Sequence, residues 1–172
     1  MKSIIIIFIL SMTITANAQV TDKEKIKIEE LPGIVIKRVG TDFSVYIPNN
    51  NPDQSVKLVQ EKFIAYDLGK DAEGFEEYLV VMQVQNGTLT ATYNENGKLI
   101  RVVENFKNVK LPSEVIYSIY RTFPGWSIVN DSFLYTQEDG DIINKQYNIK
   151  IKKDNESMKL VVRPNGEIIK AK

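Results

Sequence analysis

Apolar residues alternate with polar ones in short runs along most of this chain. Residues 43–47 show the pattern clearly, because Ser44 and Tyr46 separate Phe43, Val45 and Ile47. A period of two is typical of a strand with one buried face. We therefore predict strands over residues 34–36, 43–47, 78–82, 89–93, 99–103, 126–136, 147–151, 158–162 and 168–169.

Asn-Gly pairs lie between several of the predicted strands and indicate hairpins. They occur at residues 86–87, 96–97 and 165–166. Both residue types tolerate positive φ, which the type I′ turn between antiparallel strands requires. The strands should therefore pair in sequence order as antiparallel meanders. Residues 137–143 are acidic and are predicted to be a connection rather than a strand.

Two segments have helical instead of strand periodicity, and the first begins near Pro52. Asn51 is a suitable N-cap, and proline is favoured at the first helical position. Val56, Val59 and Phe63 then follow at the spacing that places apolar side chains on one face of a helix. An amphipathic helix is therefore predicted here.

The second helical segment begins at Pro112 and repeats this plan. Its apolar positions share one face: Val115, Ile116, Ile119 and Phe123. Pro124 and Gly125 end the helix. Trp126 follows directly, at a place where a large ring usually covers the core between a helix and a sheet.

The order of helices and strands predicts an α+β fold built as a duplication. We expect tandem helix-plus-antiparallel-sheet repeats, in which each short helix packs on a three- to four-stranded meander. The second copy is longer, which implies a longer loop or an extra strand. The predicted organisation is 1–18 signal peptide, 19–51 N-terminal strands and linker, 52–108 first repeat and 109–172 second repeat.

The N-terminal residues have the features of a secretory signal. Lys2 supplies the positive charge, residues 4–10 are apolar, and Ala16 and Ala18 fit the small-x-small cleavage rule. The apolar run is shorter than the about 20 residues of a membrane span. We expect cleavage after Ala18 and a periplasmic or secreted protein that is not inserted in the membrane. The alternative is an uncleaved N-terminal anchor.

Composition excludes several classes of function. The 22 basic residues equal the 22 acidic ones, whereas nucleic-acid binders carry a clustered basic excess. Histidine and cysteine are both absent, which removes Ser-His-Asp and thiol catalysis and the usual zinc ligands. Phosphate-binding glycine motifs are also absent. We therefore predict no enzyme, no cofactor, no metal site and no nucleic-acid partner.

Two acidic clusters are the remaining candidates for chemistry. They consist of Asp71, Glu73, Glu76 and Glu77 and of Glu138, Asp139 and Asp141. Paired carboxylates could serve glycoside hydrolysis, and oxygen-rich loops could bind Ca²⁺. Neither cluster has the EF-hand spacing. Solvated acidic loops are the favoured interpretation, and a hydrolase stays open as a third hypothesis.

A set of C-terminal motifs resembles the PepSY-like proteins. The motifs are Leu111-Pro112-x-x-Val115, Phe123-Pro124-Gly125-Trp126, Tyr147-x-Ile149-x-Ile151 and Leu160-x-Val162-x-x-Asn165-Gly166-x-Ile168. That family, also described as similar to β-lactamase-inhibitor proteins (BLIP-like), is common among exported proteins of Bacteroidetes-type bacteria. The resemblance covers roughly residues 110–172 and is weaker over 52–105, where Phe63-Ile64-Ala65 replaces Phe-Pro-Gly.

This resemblance implies tandem helix-plus-sheet units, a periplasmic or extracellular location and, loosely, inhibition or protein binding. It carries over no functional residue. The secreted β-lactamase inhibitors use disulfides, and this chain has no cysteine. The motif positions themselves belong to the core and to turns, and so they indicate the fold rather than a site.

Polar residues at the exposed strand positions are the candidates for a binding surface. A solvated sheet face is the simpler interpretation of such positions, and a polar binding surface is the functional one. Interfaces also favour tyrosine, and Tyr66, Phe75, Tyr78 and Tyr120 are further possible anchors. The candidate partner-binding residues are Thr88, Thr90, Thr92, Lys150, Lys152 and Tyr135.

These patterns favour an exported, non-enzymatic binding module. It would engage an unidentified protein or peptide of the cell envelope in the manner of an inhibitor, through a sheet face or the loops at its rim. The alternative is an envelope carrier of a small ligand or ion. A carrier requires an enclosed apolar pocket or converging carboxylates, whereas a basic and threonine-rich face opposite the helices, with one or two exposed aromatic residues, would support a binding module.

Overall fold

The computed structural model describes residues 35–39, 42–66, 68 and 76–172. The predicted signal peptide, its cleavage site at Ala18 and the acidic positions Asp71 and Glu73 lie outside these residues. The described elements are β1 (Val35–Val39), β2 (Asp42–Tyr46), α1 (Gln54–Ala65), β3 (Glu77–Val84), β4 (Gly87–Asn94), β5 (Leu99–Lys107), α2 (Ser113–Thr122), β6 (Ser127–Glu138), β7 (Asp141–Lys153), β8 (Glu156–Val162) and β9 (Ile168–Ala171).

One antiparallel sheet contains seven strands in the order β3-β4-β5-β6-β7-β8-β9, and β1 and β2 form a separate hairpin. The α+β class and the antiparallel pairing are as predicted. The predicted separation into two meanders is not seen, because β5 and β6 pair directly across the α2 connection. Helix, three strands, helix and four strands therefore follow one another in sequence, but all seven strands share one sheet.

Alternation along the strands gives this sheet one covered face. Leu89, Ala91 and Tyr93 of β4 are buried, as are Phe133 and Tyr135 of β6. The apolar faces of the two helices belong to the same core cluster. Burying apolar area in this way is the main source of stability. The helices therefore cover one side of the sheet.

The predicted helical faces are largely confirmed. In α1 the buried apolar residues are Val56, Val59 and Phe63. In α2 Val115 and Ile119 are fully buried, but Ile116 is 37% exposed. Residues four apart lie on one line of a helix, whereas each single step rotates by about 100°, and this rotation carries Ile116 away from the core.

The N-cap of α1 is Asp53, and the prediction of Asn51 is wrong by two residues. The Asp53 side chain accepts a hydrogen bond from the Ser55 backbone N–H at 2.9 Å. Asn51 Oδ1 instead accepts from the Asp53 backbone N–H. Asn51 Nδ2 donates to the Tyr147 hydroxyl at 3.3 Å, so Asn51 joins the loop before α1 to the sheet.

A tight turn replaces the connection predicted over residues 137–143. β6 continues to Glu138, Asp139 and Gly140 turn with positive φ, and β7 begins at Asp141. Positive φ is tolerated best by glycine, asparagine and aspartate. The acidic side chains here serve a short hairpin turn rather than a long loop.

Close packing positions α2 against the turn between β8 and β9. Gly166 has a φ of +86°, and a Cβ atom there would lie 2.6 Å from the Glu114 backbone oxygen. Only glycine fits this approach.

Trp126 is half-buried beside the core and meets Phe123 edge-on, with ring centroids 6.4 Å apart. Neither described helix has the length and apolar character of a membrane-spanning segment.

Candidate functional site

The face of the sheet opposite the helices is open and carries the candidate site. Thr88, Thr90 and Thr92 alternate with the buried residues of β4 and are half-buried on this face. Lys150 and Lys152 alternate in the same way with Ile149 and Ile151 of β7. The structure therefore places five of the six predicted partner-binding residues on one surface.

Tyr135, the sixth, lies on the other face. Its side chain is fully buried, and its hydroxyl donates to the Ile47 carbonyl oxygen at 2.7 Å. Burial raises the pKa of Tyr135 well above that of an exposed tyrosine. Tyr135 is in phase with Phe133, which is also buried. The hydrogen bond of Tyr135 ties the segment before α1 to the sheet, and its side chain is not accessible to a partner.

Strand register brings together lysines of β7 and β8 and the lysine that follows β9. Lys150 on β7 lies directly opposite Lys159 on β8. Lys159 exchanges two backbone hydrogen bonds with Lys172, at 2.7 and 3.0 Å. Directly opposite residues of an antiparallel pair have side chains on the same face. Lys150, Lys159 and Lys172 therefore form a row across the strands, which we call the lysine row.

A second row lies beside the lysine row and ends in lysine on both sides. Lys107 on β5 pairs with Ser132 on β6, and Ser132 pairs with Asn148 on β7. Asn148 pairs with Val161 on β8, and Val161 pairs with Lys170 on β9. Hydroxyl and amide groups therefore lie between two cationic ends.

These two rows line a groove of about 700 Å³, which we call the lysine groove. Its size falls within the roughly 300–1,000 Å³ of ligand sites in general. The groove is open along one side, so an occupant could extend beyond it across the sheet. Its lining residues are Lys107, Asn108, Asn130, Asp131, Ser132, Asn148, Ile149, Lys150, Lys159, Leu160, Val161, Lys170 and Lys172.

Asp131 is the one acidic side chain among the residues that line the groove, and it is engaged in a hydrogen bond. Asp131 Oδ1 accepts a hydrogen bond from the Val109 backbone N–H at 2.9 Å, and burial raises the pKa of Asp131. The ion pairs between described residues, Arg101–Glu138 at 3.2 Å and Arg163–Glu167 at 2.7 Å, involve no groove lysine. The groove is therefore a concentration of positive charge on a chain whose formal net charge is zero.

A buried carboxylate on the covered face was not predicted from the sequence. Glu104 is fully buried on β5. Its Oε1 accepts from the Tyr46 hydroxyl at 2.8 Å, and its Oε2 accepts from Asn49 Nδ2 at 2.7 Å. Gln60 Nε2 donates to both oxygens, at 3.2 and 3.0 Å. We call Glu104 and these three donors the Glu104 network.

Burial raises the pKa of Glu104, while its hydrogen bonds and the charge of Lys145 oppose that rise. Desolvation disfavours the charged form of a carboxyl group. Burial also disfavours the charged form of Lys145 and therefore lowers its pKa. Glu104 is enclosed and satisfied by neighbours, so the geometry gives it a structural role in joining α1 and the β2–α1 loop to the sheet.

The acidic clusters provide no gathered set of ligands within the described ranges. No group of three or more Asp or Glu side chains placed to hold a metal ion occurs in residues 35–39, 42–66, 68 and 76–172. Glu138 pairs with Arg101 at 3.2 Å. Asp139 lies in the β6–β7 turn with a φ of +46°.

Comparison with known proteins gave matches among solved structures alone. No protein family model and no curated protein matches the chain. A DUF2874 family protein from Bacteroides ovatus is 17% identical, with 66% of this chain and 84% of that chain covered and a TM-score of 0.36. A BLIP-like protein from Bacteroides fragilis is 11% identical, with 58% and 70% covered and a TM-score of 0.34.

A further match is a protein from Bacteroides eggerthii that is described provisionally as periplasmic. It is 12% identical, with 69% of this chain and 86% of that chain covered and a TM-score of 0.33. The structural neighbours thus include a BLIP-like protein and other proteins from Bacteroides, the group that the sequence motifs resemble.

Proposed function

We propose that this protein is an exported, non-enzymatic binding module whose open sheet face engages a protein or peptide of the cell envelope, in the manner of an inhibitor. The observation that carries the proposal is the lysine groove, where five lysines collect, the acidic lining side chain Asp131 is hydrogen-bonded to the Val109 backbone N–H, and no ion pair between described residues involves a groove lysine. The groove lies on the face that the helices leave uncovered. A charge distribution of this kind steers and selects a partner of opposite charge.

Apolar side chains at the far edge of the same face extend the proposed surface. Leu79 and Val81 of β3 are 66% and 54% exposed. Register places them beside Thr92 and Thr90 of β4. Protein interfaces combine an apolar region with a polar, charged rim. An aliphatic edge and a cationic groove on one sheet suit a protein partner.

Cross-linking from a single introduced cysteine tests which face engages the partner. The chain has no natural cysteine, so a photoactivated, thiol-linked reagent would report from one site only. Asn105→Cys places it on the open face, since Asn105 is exposed and pairs with Thr88. Tyr117→Cys places it on the exposed aromatic surface of α2, where Tyr117 is 68% exposed.

We expect a discrete adduct with an envelope protein from Asn105→Cys and none from Tyr117→Cys. Adducts from Tyr117→Cys alone would indicate that α2, rather than the open face, is the binding surface. Adducts from neither variant in folded protein would reject the binding module in favour of the carrier of a small ligand or ion, which the groove volume of about 700 Å³ keeps as the second candidate.

We also infer export and duplication. Export is supported by the N-terminal signal features, and N-terminal sequencing of protein from the envelope fraction should begin at Gln19; a sequence beginning at Met1 would contradict cleavage. Duplication is supported by the order of α1 with β3–β5 and α2 with β6–β9. Superposition of an experimental structure of each half should align helix with helix and β3–β5 with β6–β8.

A further inference from the structure

We propose that the lysine groove takes an acidic segment of the partner, a short run of Asp or Glu side chains that crosses β7, β8 and β9. This inference rests on the proposed function and specifies the partner's chemistry. It depends on three properties of the groove: the spacing of its lysines, the absence of charge balance within the described chain, and the polar groups between its ends.

Spacing is the first property. Neighbouring strands of a sheet lie about 4.8 Å apart, so the lysine row presents three cationic side chains across roughly 10 Å. Lys107 and Lys170 close the neighbouring row at its two ends. Five lysines around one groove exceed what a single small anion can contact at once. A chain with several carboxylates can contact them together.

Charge balance is the second property. Like charges directly opposite each other on neighbouring strands destabilise a sheet, and the lysine row contains two such contacts, Lys150 with Lys159 and Lys159 with Lys172. No carboxylate among the described residues forms an ion pair with these three lysines. No ion pair between described residues offsets this repulsion, whereas a bound carboxylate between adjacent ammonium groups would turn repulsion into attraction.

Polar groups between the cationic ends are the third property. Ser132 and Asn148 lie opposite each other in the second row, and Asn130 lies opposite Lys150. Hydroxyl and amide side chains can both donate and accept hydrogen bonds, which matches the N–H and C=O groups of a polypeptide backbone. Because one side of the groove is open, the segment can remain part of a larger protein lying over the threonines of β4.

The test measures binding of a labelled oligoglutamate peptide by fluorescence anisotropy, with oligoglutamine of the same length as the neutral control. We expect saturable binding of oligoglutamate alone. The affinity should fall as salt rises, because the Debye length shortens from about 10 Å at 0.1 M to about 3 Å at 1 M. Equal binding of the two peptides, or binding unchanged by salt, would overturn the proposal.

A double substitution locates the binding. Lys150→Gln with Lys159→Gln should weaken oligoglutamate binding by about tenfold, the scale of two partly exposed charge pairs. Lys57→Gln with Lys62→Gln makes the same change of net charge at exposed positions of α1 and should leave the affinity unchanged. An equal loss in both pairs would show attraction to overall charge rather than to the groove and would overturn the proposal.

Two results separate this inference from the proposed function. If Asn105→Cys still cross-links a protein when Lys150 and Lys159 are Gln, the open face binds a partner but the acidic segment is rejected. If inorganic phosphate binds the groove while oligoglutamate does not, the groove is a small-anion site and the inference fails. If the double substitution abolishes both oligoglutamate binding and the adduct, the two proposals stand together.

Discussion

The two faces of the seven-stranded sheet hold charge in opposite ways. The covered face contains one fully buried carboxylate, Glu104, which accepts hydrogen bonds from Tyr46, Asn49 and Gln60. The open face gathers lysines that the described residues do not pair. One face satisfies its charge within the fold, whereas the other presents its charge to solvent and, under the proposed function, to a partner.

This difference separates residues that stabilise the protein from residues that are proposed to bind a partner. A buried polar group must find its partners within the protein, because an unsatisfied one costs about 1–3 kcal/mol. An exposed lysine has no such requirement, since water solvates its charge. Crowded lysines are therefore the basis of the proposed binding surface, whereas the Glu104 network is a requirement of the fold.

The largest expected effect is on the covered face. Glu104→Ala leaves the three donors of the Glu104 network without their acceptor and opens a small cavity, so urea denaturation should show a loss of about 3–5 kcal/mol in the free energy of unfolding. Glu138→Ala is the control, because its pair with Arg101 is exposed, and it should cost less than about 1 kcal/mol. Equal losses would contradict the assigned role of Glu104.

A smaller effect is expected where α2 closes over the sheet. Gly166→Ala places a Cβ atom against the Glu114 backbone, and overpacking of this kind costs about 1–3 kcal/mol. Gly140→Ala is the matched control, since Gly140 has a similar positive φ of 92° but no atom within 4 Å of the place that a Cβ would occupy. Thermal unfolding should show a lower midpoint temperature for Gly166→Ala than for Gly140→Ala. Identical midpoints would mean that the packing of α2 does not depend on this contact.

The pH dependence of stability sharpens the contrast further. Because burial raises the folded-state pKa of Glu104, the folded protein binds its proton more tightly than the unfolded chain does. The stability of the natural protein relative to Glu104→Gln should therefore increase as the pH falls from neutral toward 4.5, the ordinary value for this group. Urea titrations of both proteins across that range measure the difference in stability. If the relative stability of the natural protein decreases as the pH falls, the pKa of Glu104 is lowered by folding rather than raised.

The smallest expected change in the free energy of unfolding is on the open face, and there it is a gain rather than a loss. Lys159→Gln removes the repulsion of Lys159 with Lys150 and Lys172, and thermal denaturation at low salt should show a gain of roughly 0.2–1 kcal/mol. High salt should remove that gain. Lys62→Gln on α1 is the control and should show no gain, because Lys62 lies in the last turn of the helix, where a positive charge is favourable. A loss of stability in Lys159→Gln would show that the lysine row serves the fold.

Local signals in the sequence predicted much of the fold. Helical spacing of Val56, Val59 and Phe63 identified the buried face of α1. Asn-Gly pairs at residues 86–87, 96–97 and 165–166 identified three turns between paired strands, although none of these asparagines has the positive φ that was predicted for a type I′ turn. These properties depend on neighbours in sequence, which is why a single chain reveals them.

The Glu104 network depends on residues that are distant in sequence. Its donors lie 44 to 58 positions away from Glu104, and a glutamate within a strand is usually exposed. One local signal was present, since Glu104 is in phase with Val102 and Phe106, both fully buried. No role was predicted for Glu104, because its hydrogen-bond donors come from α1 and from the segment before α1.

The lysine groove was predicted only in part for a similar reason. Lys150 was identified by alternation in β7, but Lys107, Lys170 and Lys172 reach the groove through strand pairing that extends from β5 to β9. Alternation tells which residues share a face of one strand. It does not give the order of strands in the sheet, and residue type alone could not assign Tyr135 to the covered face.

Lysine acetylation footprinting in the presence and absence of an envelope extract tests the central claim most directly, since one experiment reads both sides of the protein. The account predicts that the extract protects Lys150, Lys159 and Lys170 on the open face and leaves Lys57 and Lys62 of α1 fully reactive. Protection of Lys57 and Lys62, with the groove lysines still reactive, would contradict the assignment of the open face as the binding surface.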